Sequence, residues 1–111
     1  MNIRYYITED GSEPVIQWLD SLKGSKERGA IHARILRLQL GNPGDSKPVG
    51  DGVWELRIDV GPGYRVYYAR SGKITMLLLC GGSKKSQSAD IARAKEYWAD
   101  FRLNAEKGKW E

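Results

Sequence analysis

The chain has 111 residues, with 18 Lys and Arg against 14 Asp and Glu, one histidine and one cysteine. That length suffices for one domain with its own core. The composition excludes an internal disulfide and leaves too few His and Cys for a metal-ligand set. The net charge of +4 is uneven: residues 1–46 hold six cations and six acids, so the whole excess falls in residues 47–111, which suits an anionic partner there. The apolar run 76–80 is far short of the ~20 residues a membrane-spanning helix needs. The opening MNIRYYITEDG has no apolar signal core. Cys80, in the run MLLLC, reads as a small buried hydrophobe, and a reducing, cytoplasmic setting is expected.

Residues 2–8 alternate Ile3, Tyr5, Ile7 against Asn2, Arg4, Tyr6, the period of a half-buried strand. Ser12 is placed as N-cap, and Pro14 as first-turn residue, of a helix ending near Gly24 with Val15, Ile16, Leu19 and Leu22 inward. A second helix over 26–40 carries Ile31, Ile35 and Leu38 on one face and stops at Gly41. Residues 41–52, GNPGDSKPVGDG, read as a loop. Strands follow over 53–59, 64–70 and 73–80, joined by Gly61-Pro62-Gly63 and Ser71-Gly72 as an antiparallel meander. The last helix starts near Ser86 or Ser88 and presents Ile91, Ala94, Trp98 and Phe101, with a frayed tail from Asn104. The expected fold is α+β: a small antiparallel sheet in β-α-α-β-β-β-α order, a helical hairpin on one face and a C-terminal helix closing the domain.

Between Arg57 and Lys85 stand six cations (Arg57, Arg65, Arg70, Lys73, Lys84, Lys85) and one acid, Asp59. Strand alternation puts Trp54, Leu56 and Ile58 on one face with Tyr64, Val66 and Tyr68, and Glu55, Arg57, Arg65 and Tyr67 on the other. If the apolar set lies under the helices, the second set converges on a free face, with Lys84 and Lys85 arriving just past the central strand. Gly81-Gly82 would let backbone N–H groups approach a ligand. A cationic, tyrosine-bearing sheet face points to phosphate. The plain alternative is a cross-strand ion pair such as Glu55–Arg65. His32 reads as a surface residue, Trp54 and Trp98 as core, and Asp90 as a cap near the start of the last helix. There is no phosphate-binding G-x-x-x-x-G-K-[ST] loop, and no serine has a histidine partner for a triad.

The block LRIDVGPGYRVYY followed by GG-x-K-x-x-Q-x-x-D-I-x-x-A-K resembles the RelE/ParE superfamily of type II toxins, and most nearly its HigB-like, phage-related addiction-module killer branch. The resemblance covers nearly the whole chain, 1–111, as a single RelE-like toxin domain. It implies a metal- and cofactor-independent endoribonuclease that cuts mRNA on the ribosome. The ribose 2′-OH attacks the adjacent phosphorus and leaves a 2′,3′-cyclic phosphate and a 5′-OH. In that reading Arg65 clamps the scissile phosphate, Arg57 supports it, Lys84 or Lys85 supplies the basic group after the glycines, and Tyr67 stacks on a base or moves a proton. The chain departs from the pattern at Ile91, where members that cleave well often have Tyr or His. It departs again at Trp54 and Glu55, where an extra lysine is expected. Glu55, Asp90 and Tyr67 are the candidate bases, Glu55 first. The resemblance also implies a helix-turn-helix antitoxin partner, with ribosome and mRNA as targets and no membrane. The competing readings are a ParE-like toxin that traps DNA gyrase, and a nucleic-acid-binding regulator with weak catalysis.

Overall fold

Alternation in VWELRI and YRVYYARS builds the centre of the molecule. The computed structural model describes residues 1–106. Strand β1 (Asn2–Tyr5) leads to helices α1 (Pro14–Ser21) and α2 (Ser25–Gln39). Then come β2 (Ser46–Gly50), β3 (Val53–Ile58), β4 (Tyr64–Ser71) and β5 (Thr75–Ser83), and one 3-10 turn (Lys84–Ser86) runs into α3 (Gln87–Glu106). The sheet order is β1-β5-β4-β3-β2.

The meander β3-β4-β5 is antiparallel as expected, with Arg57 opposite Arg65 and Tyr67 opposite Cys80. Two features correct the expectation. Part of the 41–52 loop is a strand, β2, antiparallel to β3. It carries Pro48, which an edge strand tolerates because one side of its ladder is unpaired. The hairpin turns at Asp51-Gly52, both at positive φ (56° and 84°), the pair that a two-residue hairpin favours. The sheet is also not wholly antiparallel: β1 runs parallel to β5, Asn2 opposite Thr75. The long connection through the helices and the meander permits that pairing.

Helix boundaries differ in detail. The cap position of α1 is Glu13, which makes no side-chain cap bond, while the Ser12 N–H is held by Thr8 Oγ1 and Asp10 Oδ1 at 3.1 Å each. Pro14 does occupy the first turn. Gly41 ends α2 at φ 85°. Helix continues past Asn104 to Glu106, and the rest of the expected tail lies outside the described residues.

Two cores form, one on each side of the sheet. Val15, Leu19, Ile31, Ile35 and Leu38 of the hairpin pack on Leu56, Ile58, Val66, Tyr68 and Leu78. Ala94, Trp98 and Phe101 of α3 pack on Val53, Tyr67, Ala69, Leu77, Leu79 and Cys80. A register shift in the β4–β5 ladder, where Tyr67 pairs with Cys80 and Tyr68 with Leu78, leaves Leu79 as the extra residue. The bulge puts Leu79 and Cys80 in the same core. The C-terminal helix thus closes the domain by covering the face expected to be free. Trp54, expected in the core, is 40% exposed. No helix among the described residues is long and apolar enough to cross a membrane.

Candidate functional site

The period of two places Glu55 and Arg57 on the α3 side of β3, and Arg65 and Tyr67 on the α3 side of β4. Arg57 and Arg65 are direct cross-strand partners, an arrangement that repels unless an anion lies between them. Glu55 is that anion, with no exposed surface. Its Oε1 accepts from Arg57 Nε at 3.1 Å, and its Oε2 accepts from Gln87 Nε2 at 2.9 Å and from the Tyr67 hydroxyl at 3.1 Å. Arg65 Nε stands 3.5 Å from the same Oε2, an ion pair without hydrogen-bond alignment.

Burial alone would raise the Glu55 pKa. The bonds from Gln87, Arg57 and Tyr67, with the Arg65 charge, outweigh it and hold the carboxyl below its usual range. Glu55 is therefore a fixed anion and a weak base. Tyr67 is buried, and its phenol is pushed well above its ordinary value, first by burial and then by the Glu55 charge. It stays protonated and offers no open ring face to a base.

Beyond this cluster opens a cleft of about 610 Å³. Lys47, Arg57, Arg65 and Lys84 supply cations to its wall, Asp45 and Asp59 supply acids, and Gly61-Pro62-Gly63 forms the rim. The rim is tied to the turn after β5 by the Lys84 N–H donating to Gly63 O at 3.0 Å. Arg34 of α2 braces the other side, donating from Nη1 to Arg57 O and from Nη2 to Pro43 O at 2.7 Å.

The structure thus brings together Glu55, Arg57, Arg65, Tyr67 and Lys84. Lys85 is exposed and is not in the wall, so of these two neighbours Lys84 is the one in the cleft. Asp90 is apart and buried. Its Oδ2 accepts from Ser86 Oγ at 2.5 Å, and its Oδ1 pairs with Arg93 at 3.5 Å. His32 is exposed on α2. Gly81-Gly82 does not make room for a ligand. A Cβ at Gly81 would collide with the Trp18 ring, and one at Gly82 with the Asp90 carboxylate, so the pair lets side chains close in from both sides. Sequence reasoning missed Gln87, which the GG-x-K-x-x-Q spacing contained, and Lys47, which sits on the unpredicted β2. Among the described residues no cluster of three or more His, Cys, Asp and Glu could hold a metal ion.

Residues 17–99, which include every cleft residue, match the family model described as Phage derived protein Gp49-like (DUF891). A protein of Haemophilus influenzae, named only as uncharacterized, is 53% identical over 78 residues, spanning 70% of this chain and 79% of that one.

Proposed function

Because the chain belongs to the Gp49-like family of phage-derived proteins, a family associated with RelE-like toxins, we propose that it is the toxin of a type II toxin–antitoxin pair and cuts mRNA on the ribosome. The observation that carries this reading is the pair of guanidinium groups braced on a buried carboxylate at the wall of an open, cation-rich cleft. Arg57 and Arg65 both meet Glu55 through Nε, which leaves the terminal nitrogens of each for a ligand. Two forks held at fixed spacing suit the non-bridging oxygens of one phosphodiester.

In the reaction the 2′-oxygen bonds to phosphorus as the P–O5′ bond breaks. Glu55 and Tyr67 do not serve as the base, so the hydroxyl proton leaves to water or to a group of the ribosome, and O5′ takes a proton from water as the P–O5′ bond breaks. Charge grows on the phosphoryl oxygens, where preorganised cations act most strongly. Arg65, 9% exposed, is the inner clamp, and Arg57, with 38% of its side chain exposed, is the outer one. Lys84 sits on the turn tied to the rim and neutralises the leaving oxygen. Glu55 positions both arginines rather than taking the proton.

Primer extension on mRNA from cells expressing the protein tests this. The parent should leave discrete cleavage ends, and Arg65→Ala should lower cleavage about 10²–10³-fold while circular dichroism stays unchanged. Growth arrest as strong with Arg65→Ala as with the parent overturns the assignment.

The low basicity of Glu55 and the protonated state of Tyr67 favour a second reading, a module that binds RNA without cutting it. Ribosome association with intact mRNA would identify it. Filamentation with a DNA-damage response, and intact mRNA, would point instead to gyrase trapping. The cognate antitoxin, the ribosome and the mRNA are partners on this reading.

A further inference from the structure

The cations of the cleft lie on a diagonal of the sheet. Arg57 and Arg65 face each other at its centre. Lys47 of β2 stands directly across the ladder from Glu55, two residues before Arg57 on β3. Its Cα is therefore offset from that of Arg57 by one strand spacing of about 4.8 Å and by about 7 Å along the strand. Lys84 is offset the other way: Gly82 is the partner of Arg65, Ser83 that of Tyr64, and Lys84 follows beyond them. The line from Lys47 through the arginine pair to Lys84 thus places one lysine on each side of the pair, each about one nucleotide step away. Asp45, whose carbonyl accepts from the Arg57 N–H at 2.9 Å, and Asp59 lie to one side of this line. The α3 helix lies to the other, so an anionic strand is confined to the diagonal.

Lys47 is exposed and lines the cleft. Direct cross-strand partners share a face, so its side chain rises on the side of Arg57 and Arg65. It does not pair with Glu55, whose oxygens are taken up by Arg57, Arg65, Gln87 and Tyr67. No other acid among the described residues forms an ion pair with it. A lysine on an edge strand often serves to block strand addition, but Pro48 beside it already interrupts that ladder.

We propose that Lys47 holds a second phosphate of the same RNA strand, the one on the 5′ side of the nucleotide whose 2′-OH attacks. The proposal rests on the reading of the cleft as the cutting site. Lys84 neutralises O5′, which belongs to the nucleotide 3′ of the cut, so the 3′ side of the strand leaves past Lys84 and the 5′ side crosses β3 to reach Lys47. Lys47 takes no proton and touches no reacting atom. It is a positioning residue that sets the polarity of the strand.

The probe is the dinucleotide ApA, 2′-O-methylated on its first ribose so that it cannot be cut, in three forms: bare, with a 5′-phosphate and with a 3′-phosphate. Each is titrated at low salt, to millimolar concentration, into the ¹⁵N-labelled full chain. The readout is the Arg65 Nε–H resonance, assigned by its loss in Arg65→Lys. The bare form should move that resonance in the parent. The 5′-phosphate should tighten binding about fivefold, the size of one exposed ion pair. Lys47→Gln should erase that gain, while Lys47→Arg and Lys85→Gln keep it. Any effect of the 3′-phosphate should be the same in the parent and in Lys47→Gln. The proposal is overturned by the absence of a 5′-phosphate gain, by a gain that survives in Lys47→Gln, or by a 3′-phosphate gain that Lys47→Gln removes. Each of these leaves the arginine pair standing as a phosphate clamp. No shift with any form overturns both readings, so the two failures are told apart.

Discussion

Replacing Glu55 by Gln is the sharpest perturbation of the cluster. The shape is kept, but the charge goes, and an amide N–H₂ must face a set of groups that all donate: Arg57 Nε, Arg65 Nε, Gln87 Nε2 and the Tyr67 hydroxyl. Breaking a buried pair by removing one partner costs about 3–5 kcal/mol. Arg57 is partly solvated, so its share is small. Arg65 is left buried and opposite a second arginine, so most of the loss comes from it. The expected cost is about 3 kcal/mol at pH 7, which for a domain of this size lowers Tm by on the order of 10–15 °C. The pH dependence carries the sign. The folded carboxyl lies below its ordinary value, so the stabilisation is complete above the unfolded pKa of about 4.3 and fades as pH falls through the folded value. Denaturant unfolding of parent and Glu55→Gln from pH 7 to pH 3 should show the two curves converging toward acid. A difference under about 0.5 kcal/mol at pH 7, or one that persists undiminished at pH 3, would refute the buried-anion account.

Gly81→Ala drives a methyl into the Trp18 ring and should cost about 1–3 kcal/mol, with a change in near-ultraviolet dichroism. An unchanged spectrum and Tm would mean the ring is not seated there. Tyr6→Phe removes the bond from its hydroxyl to Asp100 Oδ2, 2.5 Å long, which ties the end of the β1 segment to α3. A loss of about 1.5–3 kcal/mol by chemical denaturation is expected for a bond to a charged acceptor. The Cys80 thiol is buried and pushed up to about 12 by burial, with the nearby Asp90 charge adding to it. Native protein at pH 8 should resist a thiol-specific reagent and react fully once unfolded. Rapid native labelling would contradict its place in the core.

The strand period of two alone was enough to put Glu55, Arg57, Arg65 and Tyr67 on one side of the sheet, because alternation is a property of the local backbone. The helices and the β3-β4-β5 meander were legible for the same reason: apolar spacing and Gly or Pro punctuation act over a few residues. What neighbours do to a face is not local. Nothing in VWELRI says that α3, thirty residues on, lies over the charged side and buries Glu55 while Arg57 stays half out. Strand β2 was invisible because SKPVG has little pattern of its own and becomes a strand by pairing with β3, although Asp51-Gly52 marked its turn. The burial of the Trp98 indole N–H without an acceptor among the described residues was beyond the sequence, since it exists only once a distant turn and a helix have met. Periodicity tells which side chains share a side, and only packing decides which side is covered and how deeply.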